Sequence, residues 1–325
     1  MIDMAKKTLV SGVKPTGRIH IGNYFGAMRQ FVALQDSYHA MIFIADYHAL
    51  TTERNPKTLR EQTIAIAMDY LAIGLNPEKT LLFKQSDVPE VVELAWIFNC
   101  ITTMPYLSRA HAYKDALAKD KEVNVGLFDY PMLMAADILI QDADAVPVGQ
   151  DQKQHVEITR DTAEKFNRIY GDMFTLPEHL ILSETETVPG IDGKKMSKSY
   201  GNIIPLFASD DEIEQSVMSI VTDSKGVGEP KNTEGDTLFS YHRLFSTGEL
   251  PEIERRYREG GIGYKESKEM LIKNMRAFIA PLRERREDIA KDTARVTAIL
   301  EKGGERARER ARKKMSFIRE RVGLS

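Results

Sequence analysis

The chain reads as an α/β protein, a parallel sheet with helices on both faces followed by an all-helical domain. Two patterns predict this. Through the first half, short apolar runs of strand length alternate with segments of helical periodicity, the signature of a parallel sheet covered by helices. After about residue 205 the strand signals stop, and helical patterns broken by glycine-rich loops take over. With 325 residues, 42% of them hydrophobic, the chain is long enough for two domains and for a core that needs no covalent staples. The division predicted is 1–205 for the sheet domain and 206–325 for the helical one, with room for the last helices to pack back on the sheet.

The elements follow in order. Residues 8–13, 40–45 and 80–83 read as buried strands and 146–148 as a shorter one. Asn55-Pro56 supplies an N-cap and a proline at the first helical position, after which Leu59, Thr63, Ile66 and Tyr70 fall on one helical face. A helix over 130–140 places Tyr130, Met134 and Asp137 at i, i+4 and i+7. Val156, Thr159, Ala163, Phe166 and Tyr170 repeat the pattern, with Arg160, Asp161, Glu164, Lys165 and Arg168 on the wet side. Beyond 205, a loop at 222–236 and a glycine-rich break at 259–263 separate helices. The last segment, 283–321, is polar enough to bury one narrow stripe only.

Composition excludes several classes. Cys100 is the chain's one cysteine, so it closes no intrachain disulfide and builds no cysteine-rich metal site. No stretch approaches the ~20 apolar residues of a membrane span, and residues 1–13 lack the apolar run of a signal peptide. A cytoplasmic protein with no membrane partner is expected. His39, His111, His179 and His242 have no metal-ligand spacing and read as surface or satisfied core histidines, so no protein-bound metal cluster is expected. Cys100 and Trp96, in the apolar run 94–101, read as core. Charge is uneven: residues 276–325 carry 15 Lys/Arg against 8 Asp/Glu, a net +7, leaving −10 on the rest of a chain of net −3. On composition alone such a segment reads as a solvated, ion-paired helix ahead of a contact for a polyanion.

Two loops carry chemistry. The first, Ser11-Gly-Val-Lys-Pro-Thr-Gly-Arg-Ile-His-Ile-Gly-Asn23, joins the first strand to a helix expected near Tyr24. A loop at the carboxyl end of a strand that feeds a helix N-terminus offers backbone N–H groups and a positive dipole end to phosphate. Lys14, Thr16, His20 and Asn23 add side-chain donors; the loop is neither a P-loop nor GxGxxG, and its glycines taken alone read as an ordinary strand-to-helix turn. The second, Gly193-Lys-Lys-Met-Ser-Lys-Ser199, puts Lys195 and Lys198 on an exposed loop, where ammonium groups on flexible stems can meet charge that develops during reaction. Taken alone it reads as a solvated basic loop.

In this order, more than 170 residues apart, the pair resembles the two signatures of class I aminoacyl-tRNA synthetases. Lys14-Pro-Thr-Gly17, His20-Ile-Gly-Asn-Tyr-Phe-Gly-Ala27, Tyr130-Pro-Met-Leu-Met-Ala-Ala-Asp-Ile138 and Val146-Pro-Val-Gly-Gln-Asp-Gln-Lys-Gln-His155 narrow the resemblance to the tryptophanyl-tRNA synthetase family of bacterial length. It is dense over the first 200 residues and thinner beyond, where Val221-Thr-Asp-Ser224 carries it.

The resemblance implies a Rossmann-type catalytic domain, a helical anticodon-binding region, a two-fold dimer, and a two-step reaction using ATP with Mg²⁺ on its phosphates, L-tryptophan and tRNA(Trp). By motif it assigns Lys14, Pro15, Thr16, Gly22, Asn23, Gly149, Gln150, Asp151, Val188, Lys195, Met196, Ser197, Lys198 and Ser199 to ATP, with Asp151 at the ribose and Val188 at adenine. His20, Asn23, Lys195 and Lys198 would serve the chemistry; Val10, Tyr130, Met134, Asp137 and Gln152 would form the tryptophan site, Asp137 accepting the indole N–H. His48 fits a pocket or a supporting role. Lys14 stands where many bacterial members have Gln, and Tyr200-Gly-Asn follows the lysine loop where an Asp-containing sequence is common. A further pyrophosphate lysine known in some relatives maps by spacing to Ala116, leaving Lys114 and Lys119 open as substitutes.

Three rivals remain. Tyrosyl-tRNA synthetases share the fold and the Asp137 match, but their archaeal and eukaryotic members use a first-strand Tyr for the phenol where this chain has Val10. A non-catalytic tRNA-binding protein on the same fold would have no need of His20, Asn23, Lys195 and Lys198 together. A small nucleotidyltransferase would leave the helical region unexplained.

Overall fold

A computed structural model describes residues 6–110, 113–114, 123–149, 153–181 and 188–325, with Ile181 and Ser199 described by backbone alone. Its centre is a five-stranded parallel sheet in the order β3-β2-β1-β4-β5, built from β1 (Thr8–Val13), β2 (His39–Ile44), β3 (Thr80–Lys84), β4 (Ala145–Val148) and β5 (Glu178–Ile181). β1 and β2 pair from Thr8 opposite His39 to Val13 opposite Ile44, and Leu9, Val10, Met41, Ile42 and Ile44 are buried, as expected of strands covered on both faces. Four strands lie where the apolar runs predict them, shifted by a residue at some ends. β5 was not expected: Glu178-His-Leu-Ile is short, polar at its start and lies at the end of the sheet order, so it shows no buried run.

The helices α1 (Pro56–Ala72), α2 (Glu90–Ile101), α3 (Val125–Leu139) and α4 (Lys153–Tyr170) connect the strands. Asn55 caps α1, its side chain accepting from the N–H groups of Lys57 at 2.9 Å and Thr58 at 3.2 Å. In α4 the stripe Val156, Thr159, Ala163 and Phe166 is buried as predicted. On α2 the expectation fails for two residues. Val91, Leu94, Ala95, Ile97 and Phe98 are buried, but Trp96 is 69% exposed and Cys100 is exposed, because this helix is apolar nearly all round while one face alone is covered.

The chain forms two compact units: Met1–Gly17, Gln30–Ser183 and Asp292–Ser325 in the first, Arg18–Arg29 and Glu184–Lys291 in the second. Against a division at residue 205, residues 18–29 group with the second unit. The last helix, α9 (Thr293–Val322), belongs with the sheet, where Ala307, Ala311, Met315 and Ile318 join the core. Gly303 lies so close to β3 that a Cβ there would stand 2.1 Å from the Leu82 carbonyl oxygen, and one at Gly304 would stand 2.6 Å from the Asp87 Cβ.

The narrow buried stripe of this helix is as predicted, and five of its basic residues are engaged within the unit. Arg308 and Arg312 pair with Glu90, Arg319 with Glu93 and Lys314 with Asp142, while Arg310 donates to the Gln141 carbonyl oxygen at 3.0 Å. The acidic first turn of α2 draws this side of the segment inward.

The second unit holds α5 (Asp210–Met218), α6 (Thr237–Phe245), α7 (Leu250–Glu259) and α8 (Tyr264–Ala290). Ser209 and Glu212 form a capping box at α5, and α7 stops at Gly260, whose φ of +87° suits glycine. Phe239, Ile253, Tyr257 and Ile262 form one core cluster. His242 is fully buried and satisfied by Ser246 and Ser267 at 2.8 and 2.9 Å. Among the described residues no strand follows Ile181, and no helix is long and apolar enough to cross a membrane.

Candidate active site

The signature turn belongs to the second unit. Its helical stretch starts at Ile21, earlier than the expected Tyr24, because His20 is itself the N-cap. His20 Nδ1 accepts from the Asn23 N–H at 3.3 Å while the His20 N–H donates to Asn23 Oδ1 at 3.2 Å, a reciprocal cap. Burial, reinforced by the charge of Lys198, pushes the His20 pKa down to about 4. The ring is therefore neutral near pH 7, and with Nδ1 accepting, its proton sits on Nε2 as a donor. Phe25 anchors the turn by packing at 5.3 Å from Phe245 and 5.7 Å from Phe278, ring centroid to centroid.

The lysine loop is in the same unit and meets this turn. Ile21 N–H donates to the Ile204 oxygen and Leu206 N–H to the Ile19 oxygen, each at 3.0 Å, so the chain leaving the loop pairs with the chain entering the turn. Met196 is buried, and its sulfur lies where a Cβ on Gly22 would be 3.3 Å away. Lys195 and Lys198 flank it and are exposed, with Lys198 opening a short 3-10 turn, Lys198–Tyr200. Val188 is buried in this unit. Residues 20, 22, 23, 188 and 195–198 are thus brought into one unit although the sequence separates them widely.

The first unit holds the other predicted residues. Lys14, Pro15 and Thr16 follow β1; Lys14 donates to Thr51 Oγ1 at 3.0 Å, and burial lowers its pKa. Gly149 is exposed at the carboxyl end of β4. Asp137 on α3 is only 4% exposed, and three hydrogen bonds hold it: Gln85 Nε2 donates to its oxygens at 2.9 and 2.8 Å, and His48 Nε2 lies 3.1 Å from Oδ2. Burial raises the Asp137 pKa, opposed by His48 and Gln85. A carboxylate has about four lone-pair sites. Gln85 and His48 meet three of them.

Tyr130, on the same helix, is hydrogen-bonded to His155 Nε2, and burial pushes its hydroxyl pKa up to about 12. Its ring meets His48 edge-on at 6.1 Å. Met134 is half-buried against the core, and Val10 is fully buried on β1. Beside His48 and Tyr130 opens a cavity of about 370 Å³, also lined by Thr51, Trp96, Asn99 and Leu133.

Gln150, Asp151, Gln152, Ala116, Lys119 and His111 lie outside the described residues, as does the Ser199 side chain; Lys114 is exposed. The sequence reading missed Gln85, His155 and Asn202. Each is a single polar residue, and nothing in its local spacing ties it to a partner. Among the described residues no group of three or more His, Cys, Asp or Glu is placed to hold a metal ion.

A 3-2-1-4-5 parallel sheet in the first unit, and in the second a histidine-capped turn paired with the lysine loop, are what the two signatures of a class I aminoacyl-tRNA ligase predict. The model for the family described as tRNA synthetases class I (W and Y) matches residues 4–280, and this chain belongs to that family. It is 48% identical over 319 residues to the tryptophan--tRNA ligase of Fusobacterium nucleatum, covering 98% of each chain. To that of Rhodopirellula baltica it is 46% identical, over 97% of this chain and 99% of the other. A crystal structure of the Campylobacter jejuni tryptophanyl-tRNA synthetase, complexed with ADP and tryptophan, is similar with a TM-score of 0.91 and 42% identity, covering 98% of this chain and 100% of that one.

Proposed function

We infer that the chain is a tryptophan–tRNA ligase, activating L-tryptophan with ATP and then transferring it to tRNA(Trp). The near-full-length similarity to tryptophan--tRNA ligases carries the choice of amino acid; the buried Asp137, held by Gln85 and His48, is assigned to accept the indole N–H. Val10 offers no polar partner to a phenol from β1, which supports tryptophan over tyrosine.

In the first step a tryptophan carboxylate oxygen attacks the α-phosphorus of ATP; the bond to the bridging oxygen breaks and pyrophosphate leaves. No general base is needed, since the attacking carboxylate is ionised at pH 7. We assign the neutral His20 to donate its Nε2 proton in a hydrogen bond to a phosphate oxygen, with Asn23 beside it. Lys195 and Lys198 stabilise the charge that builds on the phosphorus and the departing pyrophosphate, and Mg²⁺ arrives on the ATP phosphates. Tyr130, hydrogen-bonded to His155, is assigned with Gln152 to the α-ammonium. By their motifs we assign Lys14, Pro15, Thr16, Gly22, Gly149, Gln150, Asp151, Val188 and Met196 to Ser199 to the nucleotide. In the second step a terminal ribose hydroxyl of tRNA attacks the activated carbonyl and AMP leaves.

We place the protein in the cytoplasm, assign anticodon binding to the helical region that begins at residue 206, and propose a homodimer. Val92, 49% exposed, and Trp96, 69% exposed, give α2 an apolar face suited to a second copy. Single-turnover formation of tryptophanyl-adenylate tests the chemistry. Lys195→Ala and Lys198→Ala should each slow it by about 10² to 10³ while tryptophan affinity changes a few-fold at most. An unchanged rate in both variants rejects the assignment.

A further inference from the structure

We propose that Asn202 is the positioning residue of the lysine loop, a single buried amide that sets the backbone from which Lys195 and Lys198 act. Asn202 is 2% exposed. Its Oδ1 accepts the Ser197 N–H at 2.8 Å, and its Nδ2 donates to Asp192 Oδ1 at 2.8 Å and to the Lys195 carbonyl oxygen at 3.2 Å. The partners fix which end of the amide is which, because Ser197 supplies a donor whereas Asp192 and the Lys195 carbonyl are acceptors. One side chain thus binds the loop before its first lysine, at that lysine and between the two.

The neighbours are built around this amide. The Asn202 carbonyl oxygen accepts the Ile191 N–H at 3.1 Å, and Asp192 Oδ1 also accepts the Lys194 N–H at 3.1 Å. Position 190 is glycine where a Cβ would stand 2.2 Å from Asn202 Nδ2. Farther back, the Tyr241 hydroxyl donates to the Pro189 carbonyl oxygen at 2.5 Å. Lysine side chains have flexible stems, so the direction of each ammonium group depends on how its peptide is held. Asn202 holds the Lys195 and Ser197 peptides, and an error of about 1 Å in placing a reacting or stabilising group can cost about 10²-fold in rate. Asn202 touches no substrate in this scheme and acts through the loop.

The proposal rests on the assignment of Lys195 and Lys198 to pyrophosphate, and the experiment separates the two. Rapid-quench formation of tryptophanyl-adenylate is measured at saturating ATP, Mg²⁺ and tryptophan on the full-length protein. The variants are Asn202→Ala, Asn202→Asp, Asp192→Asn, the double substitution Asn202→Asp with Asp192→Asn, and Lys198→Ala. Asn202→Ala and Asn202→Asp should slow the burst about 10- to 100-fold, with burst amplitude and tryptophan affinity within twofold of the unsubstituted protein. Asn202→Asp loses both donations and sets a carboxylate beside Asp192. In the double variant the amide introduced at 192 can donate to the carboxylate introduced at 202, and the rate should recover at least fivefold over Asn202→Asp alone.

A loss confined to burst amplitude, reporting fewer folded sites rather than slower ones, overturns the proposal. So does a double variant no faster than Asn202→Asp. A slow Lys198→Ala with a normal Asn202→Ala rejects the role of Asn202 alone, whereas a normal Lys198→Ala rejects the assignment beneath it.

Discussion

Asp137 is a carboxyl group only 4% exposed, a placement made tolerable by the hydrogen bonds of Gln85 and His48. Removing it should cost a charged hydrogen bond to the indole, about 1.5–3 kcal/mol. Asp137→Ala is therefore expected to lower kcat/KM for tryptophan by about 10- to 100-fold in pyrophosphate exchange while the KM for ATP stays within about threefold. Normal tryptophan kinetics would remove Asp137 from recognition. His242 gives a second expectation, on stability. Its pKa is pushed down to about 4 by burial, so between the ordinary histidine value near 6.5 and about 4 the unfolded chain binds a proton that the folded chain does not. Its contribution is complete above pH 6.5 and is lost as pH falls through that window, to a limit of about 3 kcal/mol. Urea titrations of the unsubstituted protein and of His242→Gln should show the stability difference narrowing by up to that amount from pH 7 to pH 4. A constant difference contradicts the buried neutral histidine. His20, Asn23, Lys195 and Lys198 were legible in the sequence because each lies in a short contiguous motif. Gln85 was not, since its partner Asp137 is 52 positions away and only the fold brings them together.

Helix α9 shows what an element's own pattern reveals and what it withholds. Its 3.6-residue stripe is readable, and Val296, Leu300, Ala307, Ala311, Met315 and Ile318 are buried as the stripe requires. Its partner is not readable. At Gly303 β3 passes so close that the Leu82 carbonyl fills the space of a side chain, and at Gly304 the Asp87 side chain does. Gly303→Ala should destabilise the protein by about 1–3 kcal/mol through overpacking in spite of alanine's better helix propensity. Gly26→Ala, where a Cβ would meet nothing within 4 Å, is the control and should change little. Equal midpoints for both variants in urea denaturation would contradict the close approach. The positive charge of α9 is legible as a sum but not as a surface, because Glu90, Glu93 and Asp142 neutralise much of it within the unit. α2 errs in the opposite sense: its apolar run reads as core, yet Trp96 is exposed.

For the whole molecule, the parallel sheet and the helical region were evident from periodicity, whereas the grouping of segments into units was not. Residues 18–29 join the second unit through the Ile21–Ile204 and Ile19–Leu206 backbone bonds and the Phe25 cluster, contacts between segments that lie far apart in the chain. Assembly is predicted from the exposed face of α2. Trp96→Glu should convert a sedimenting dimer at micromolar concentration into monomer, and an unsubstituted protein that sediments only as monomer rejects the homodimer. The central claim, a class I ligase that activates tryptophan, is tested most directly by ATP–pyrophosphate exchange driven by each of the twenty amino acids in turn. Tryptophan should drive exchange, with tyrosine lower in kcat/KM by about 10³ or more. Tyrosine as effective as tryptophan, or no exchange with any amino acid, would contradict it.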